Sequence, residues 1–182
     1  MRETTTRAAD VLVIFGITGD LAHKMTFRAL YRLEVAGRLD CPIIGVAGVD
    51  WSEDLLVAAM RKALQVAGEV VEEQAFARLT RRFTYLQGDI ADPGTYEALA
   101  ARLNGTSAPL FYLEIPPALF APVVTALGQA DLTAHATVMI EKPFGHDLAS
   151  ARALNDELHE TLAEDQILRI DHFLGKQPVL DI

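Results

Sequence analysis

Short runs of branched and apolar residues recur along the chain at 11–15, 43–47, 83–86, 110–113, 138–140 and 167–170, and within them apolar and polar side chains do not alternate. A strand that is apolar on both faces must be covered on both faces, and crossover helices are the usual cover. The intervening segments have helical spacing. In residues 21–35, Leu21, Met25, Leu30 and Leu33 can share one face before Gly37 ends the turn. Residues 53–66, 72–81, 95–103, 117–127 and 148–162 are similar, and the turn formers Asp92-Pro93-Gly94 and Asn104-Gly105 fall between periodic segments. About six strands alternating with helices predict an α/β fold: a doubly wound, mostly parallel sheet in three layers, α/β/α.

The first strand leads straight into Gly16-Ile17-Thr18-Gly19-Asp20-Leu21-Ala22, and a helix pattern follows at once. Glycine supplies positive φ or close backbone approach, and a helix N-terminus offers free N–H donors to an anion. At the carboxyl end of the first strand of a Rossmann-like sheet, this is where a dinucleotide pyrophosphate docks. Thr18 can add a hydroxyl, and Asp20 is placed to cap the helix. The Gly-x-x-Gly spacing is shorter than the full dinucleotide fingerprint, so a plain strand-to-helix turn with a capping aspartate is the alternative reading.

With 182 residues, 51% of them hydrophobic, the chain can bury one core. The reading is a disordered tail at 1–10 and one dinucleotide-binding domain at 11–182. A net charge of −9 excludes a general polyanion binder, so nucleic acid is not an expected partner. An anionic ligand must instead be held locally by backbone N–H groups and a few placed cations. The single cysteine, Cys41, can make neither an intrachain disulfide nor a metal cluster, and is expected as a buried structural thiol; no metal site is predicted. The polar N-terminus has no signal-peptide core, and no apolar run approaches the roughly 18 residues that span a bilayer. No membrane partner and a cytoplasmic location are expected. Residues 175–182 could open a further helix but stop before a cap, so the chain looks cut.

Two later motifs carry chemistry at the same carboxyl edge. Strand five ends in Glu141-Lys142-Pro143-Phe144-Gly145, where an ammonium can hydrogen-bond a sugar hydroxyl or simply sit in a solvated loop. Strand six ends in Arg169-Ile170-Asp171-His172-Phe173-Leu174-Gly175-Lys176. There His172 and Lys176 can clamp a phosphate and Asp171 can orient a general-base histidine, or the stretch is an exposed polar loop.

Together the glycine loop and these two motifs resemble those of the glucose-6-phosphate dehydrogenases, in the same order. Tyr112-Leu113-Glu114-Ile115-Pro116-Pro117 resembles the family's Tyr-Leu-Ala-x-Pro-Pro segment beside the coenzyme, and Gly45-Val46-Ala47 the end of its second strand. The resemblance covers nearly all of the chain. It implies oxidation of glucose 6-phosphate at C1 by hydride transfer to NADP, the first step of the oxidative pentose phosphate pathway. Gly16, Ile17, Thr18, Gly19, Asp20, Leu21, Tyr112, Pro116 and Lys142 would bind coenzyme, and Lys142, His172 and Lys176 would bind substrate. Asp171, with Lys142, would be catalytic by holding a histidine that the family carries downstream, in a second α+β domain. The complete enzyme would be a homo-oligomer.

Four positions depart from the family pattern. Gly48 stands where an arginine for the 2′-phosphate is common, so NAD is admitted as coenzyme, with Asp50 close by to accept from a ribose hydroxyl. Met25 replaces a basic residue and Phe173 a tyrosine, and Glu114 stands where alanine is common, without an assigned role. His23, His135, His146 and His159 are expected as surface residues and not as a substitute base, so the isolated chain is predicted inactive or nearly so. The alternative is a free-standing nucleotide-binding module without catalysis.

Overall fold

Each of the six apolar runs forms a strand in the computed structural model, which describes residues 8–171. They are β1 (Val11–Phe15), β2 (Ile43–Ala47), β3 (Phe83–Gln87), β4 (Pro109–Leu113), β5 (Thr137–Glu141) and β6 (Ile167–Ile170). The strands make one sheet in the order β3-β2-β1-β4-β5-β6, and every adjacent pair is parallel. The order reverses at β1 and β4, the switch point where a doubly wound sheet opens a crevice at its carboxyl edge.

The helices are α1 (Phe27–Val35), α2 (Glu53–Val66), α3 (Glu73–Arg82), α4 (Pro93–Arg102), α5 (Phe120–Gln129) and α6 (Leu148–His159). The first three cover one face, packing Leu30, Leu56, Met60, Leu64, Phe76 and Leu79 against Ile14, Ile43 and Phe83. The other three cover the opposite face, where Tyr96, Leu99, Val123, Leu127 and Leu158 meet Val13, Phe15, Phe111 and Val138. Burying each such side chain contributes roughly 1.5–3 kcal/mol before the entropy of ordering it. Beyond β1 the first face is less covered. Leu110, Tyr112, Met139 and Ile170 join Leu12, Leu30 and Leu33 around an apolar groove of about 600 Å³.

Two helix starts correct the sequence reading. Residues 21–35 are not one α-helix: Ala22–Thr26 is a π-helical turn, closed by the Phe27 N–H donating to Ala22 O. The wider turn rotates the face that follows. Ala22, Thr26, Phe27, Leu30, Tyr31 and Glu34 are buried, while Met25 is 40% exposed. The Asp92-Pro93-Gly94 stretch is not a separate turn, since Asp92 caps α4 by accepting from Gly94 N and Pro93 occupies its first turn. Gly37 ends α1 as expected, at φ 64°, with Arg38 N donating to Leu33 O.

Asp10, just ahead of β1, accepts hydrogen bonds from Ser107 N at 2.5 Å, Ser107 Oγ at 2.9 Å and Ala108 N at 3.1 Å, tying the starts of β1 and β4. Burial alone would raise its pKa, but these bonds outweigh burial and hold the carboxyl below its ordinary value. Asp10→Ala is therefore expected to cost about 1–2 kcal/mol in urea unfolding at pH 7. Because the folded pKa is the lower one, that contribution is present above the unfolded value and fades as pH falls through the folded one.

Candidate functional site

Gly16 is the residue on which the carboxyl edge turns. Its φ is +85°, its N–H donates to Val46 O at 2.8 Å, and a Cβ there would lie 2.2 Å from Glu114 O. Gly19 N donates back to Gly16 O at 2.8 Å, and His23 N to Gly19 O at 3.3 Å begins the helix. Asp20 therefore does not cap it. It already lies inside the helix, and its carboxylate pairs with Lys24 Nζ at 2.9 Å, one turn on. Ile17 is fully buried and fills the space above Gly45, where a Cβ would meet Ile17 Cγ2 at 2.8 Å. Only its backbone can face a ligand.

The loop forms one wall of a cleft of about 390 Å³. Gly16, Thr18 and Gly19 line it after β1, Gly48 after β2, Gly88, Asp89 and Ile90 after β3, and Glu114, Ile115 and Pro116 after β4. Four strands thus present their carboxyl ends to one opening. Of the residues expected at the coenzyme, Ile17, Asp20, Leu21, Tyr112 and Lys142 are not among its lining residues. Tyr112 instead lines the apolar groove and donates its hydroxyl hydrogen to Glu141. Gly88 and Asp89 were missed from the sequence, where Gln87 separates the glycine from the apolar run at 83–86 and weakens the signal that Gly16 gives. A Cβ at Gly88 would meet Thr95 Oγ1 at 2.4 Å, so packing of α4 also demands glycine there.

Two buried carboxylates flank the switch point. Glu114, whose backbone N–H donates to Phe15 O at 3.0 Å, accepts from the Thr26 hydroxyl at the end of the π-helical turn. This residue, which had no role in the sequence reading, links β4 to the segment that follows the glycine loop. Glu141, the acceptor of Tyr112, fixes the end of β5 immediately before Lys142. Lys142 Nζ lies 2.6 Å from Asp171 Oδ2, with side chains 60% and 22% exposed, so two residues given separate roles stand side by side across β5 and β6. The Lys142–Pro143 peptide is cis. His172 and Lys176 lie outside the described residues.

The four described histidines, Cys41 and the ion pairs of Glu69 and Glu73 stand outside the cleft lining. His23 is half-buried and stands edge-on to Phe27 and Trp51, with ring centroids 5.5 and 6.0 Å away. His135, His146 and His159 are exposed, and none of the four lines the cleft. Cys41 is half-buried, not fully buried as expected, and burial pushes its thiol pKa up, which makes it a poor nucleophile at neutral pH. Glu69 bridges Arg28 and Arg32 at 2.5 and 2.7 Å, and Glu73 pairs with Arg61 at 2.7 Å. Among the described residues no helix is long and apolar enough to cross a membrane.

Residues 13–181 match the family described as glucose-6-phosphate dehydrogenase, NAD binding domain. The chain is 55% identical over 175 residues to glucose-6-phosphate 1-dehydrogenase 1 of Mycobacterium tuberculosis, covering 96% of itself and 37% of that relative. It superposes with a TM-score of 0.91 on the crystal structure of glucose-6-phosphate 1-dehydrogenase from Mycobacterium avium, at 58% identity, covering 94% of itself and 38% of that chain. A structure of glucose-6-phosphate dehydrogenase in complex with its substrate glucose-6-phosphate superposes with a TM-score of 0.84 at 32% identity, again with 94% and 38% covered. The chain thus spans little more than a third of the length of these relatives.

Proposed function

Because the chain belongs to the glucose-6-phosphate dehydrogenase family, we propose that it is the coenzyme-binding part of a glucose-6-phosphate 1-dehydrogenase, which oxidises C1 of glucose 6-phosphate to the phosphogluconolactone. The observation that carries this reading is the glycine cradle at the switch point, on the same sheet edge as the Lys142–Asp171 pair. The cradle fits a dinucleotide: Gly16, Thr18 and Gly19 line it just ahead of a helix start, the kind of backbone that receives an anion, and a Cβ at Gly16 would collide with Glu114 O beside it. When bound, the nicotinamide supplies the hydride acceptor.

The chain's own residues bind and orient. Gly16, Thr18 and Gly19 approach the pyrophosphate, with Ile17 contributing only backbone. Lys142 reaches a sugar hydroxyl and the coenzyme, while His172 and Lys176 take the 6-phosphate. Asp171, now paired with Lys142, exchanges that partner for the histidine it orients. The family resemblance implies NADP, and Gly48 admits NAD. A cytoplasmic location and a homo-oligomeric complete enzyme belong to the same proposal.

The isolated chain is expected to bind dinucleotide saturably in a fluorescence titration on Trp51 while turning over glucose 6-phosphate at least about 100-fold more slowly than a complete enzyme, the usual lower cost of losing a general base. Turnover at a complete enzyme's rate would refute the assignment of the base outside these residues. Absence of binding to NAD, NADP and ADP alike would refute the cleft as a nucleotide site.

A further inference from the structure

A 2′-phosphate adds about two negative charges to the adenosine ribose of a dinucleotide, and a cation or several N–H donors must replace its water. A free 2′-hydroxyl asks for an acceptor, which a carboxylate supplies. In a doubly wound sheet this ribose lies against the carboxyl end of the second strand. Here β2 ends at Ala47, and Gly48, Val49 and Asp50 follow.

Gly48 faces the cleft opposite Gly88 and Asp89, and among the described residues lining that cleft there is no lysine, arginine or histidine. Cations on neighbouring elements have other engagements. Lys24 pairs with Asp20 at 2.9 Å, Arg102 donates to Tyr85 O at 2.8 Å, and His23 is held against Phe27 and Trp51. The last described strand, β6, ends four strand spacings from β2, roughly 19 Å away. Carboxylates do stand at this end. Asp89 lines the cleft, its Oδ1 accepting from Ala91 N at 2.9 Å, and Asp50 is exposed on the loop after β2. That loop is fixed from below, because the Tyr85 hydroxyl donates to Val49 O at 2.6 Å and contacts Ala47 O at 3.2 Å.

We infer that the cleft selects NAD over NADP: Asp50 accepts from the adenosine ribose diol, and Gly48 and Asp89 leave a 2′-phosphate without a countercharge and facing a carboxylate. This rests on the dinucleotide reading of the cleft and deepens it.

The test uses the chain itself, titrated with NAD, NADP and ADP at physiological ionic strength. The unaltered chain is expected to bind NAD at least about tenfold tighter than NADP. Gly48 has no positive φ, and a Cβ there would meet only Gly88 O, at 3.9 Å, so Gly48→Arg has room to fold. It is expected to move the NAD to NADP affinity ratio about tenfold or more toward NADP, and Asp50→Asn to narrow the NAD preference. NADP bound as tightly as NAD by the unaltered chain overturns the inference and leaves the dinucleotide reading standing. An Asp50→Asn variant with an unchanged NAD to NADP ratio overturns the role given to Asp50, whether or not Gly48→Arg folds. Binding of none of the three nucleotides overturns the dinucleotide reading, and the inference with it.

Discussion

Gly16→Ala is expected to abolish measurable dinucleotide binding and to lower the stability of the chain by about 3 kcal/mol or more. Two costs add at this position. The residue sits at φ +85°, where an L side chain costs roughly 1–2 kcal/mol, and its Cβ would stand 2.2 Å from Glu114 O and 3.1 Å from Ile115 Cγ2. Backbone cannot rotate out of the way as a side-chain tip can. Relief requires moving the loop after β1 away from the loop after β4, against the Glu114 N–H bond to Phe15 O at 3.0 Å and the Gly16 N–H bond to Val46 O. The same movement closes the approach that a pyrophosphate needs. Gly37→Ala separates strain from collision: Gly37 has φ +64° but nothing within 4 Å of a Cβ, so it is expected to cost only about 1–2 kcal/mol and to leave binding unchanged. Urea unfolding and NAD titration of both variants read the two effects, and equal behaviour of the pair would remove the collision from the account.

Replacing both Arg78 and Arg82 by leucine is expected to cost about 3–5 kcal/mol at pH 7 and to reverse the pH dependence contributed by Glu34. Glu34 on α1 is 3% exposed and accepts from Arg78 Nε at 2.8 Å and Arg82 Nε at 2.7 Å, both on α3. Burial works to raise its pKa, but the hydrogen bonds and charges of Arg82 and Arg78 outweigh it and hold the carboxyl below its ordinary value. The Glu34 contribution is therefore present above the unfolded pKa and lost as pH falls through the folded one. Without the arginines only burial remains, so the folded pKa rises above the unfolded value. The variant is then stabilised by protonation below the unfolded pKa and loses that stability as pH climbs through the folded one. Urea unfolding between pH 4 and 8 should show the gap between the two proteins narrowing toward acid. A gap constant with pH would place the loss elsewhere, and the single Arg78→Leu variant, whose residue is 50% exposed, should lose much less.

The six strands were legible because a strand buried on both sides has little choice of composition, and Val13, Phe111 and Val138 show no exposed surface at all. The glycine loop was legible for a related reason: positive φ and close approach exclude other residues, so Gly16 marks its own geometry. The motifs put Lys142 and Asp171 on one carboxyl edge, and the 2.6 Å pair between them follows from the parallel pairing of β5 with β6. The face of the first helix was not legible, because a π-helical turn shifts the register without changing which residues are apolar.

Sequence by itself determined which segments are strands and which are helices, which edge carries the glycines and which family the motifs resemble, since each depends on local composition or spacing. Tertiary structure alone decided what stands opposite what. Glu114 acquires a partner only because Thr26, 88 positions away, is turned toward it, and Glu34 becomes a buried anion only because α3 lays two arginines across α1. Gly88 and Asp89 join the cleft only because β3 lies beside β2. Such contacts depend on the packing of elements far apart in the chain, and a linear pattern carries the periodicity of each element but not the angle at which it meets another.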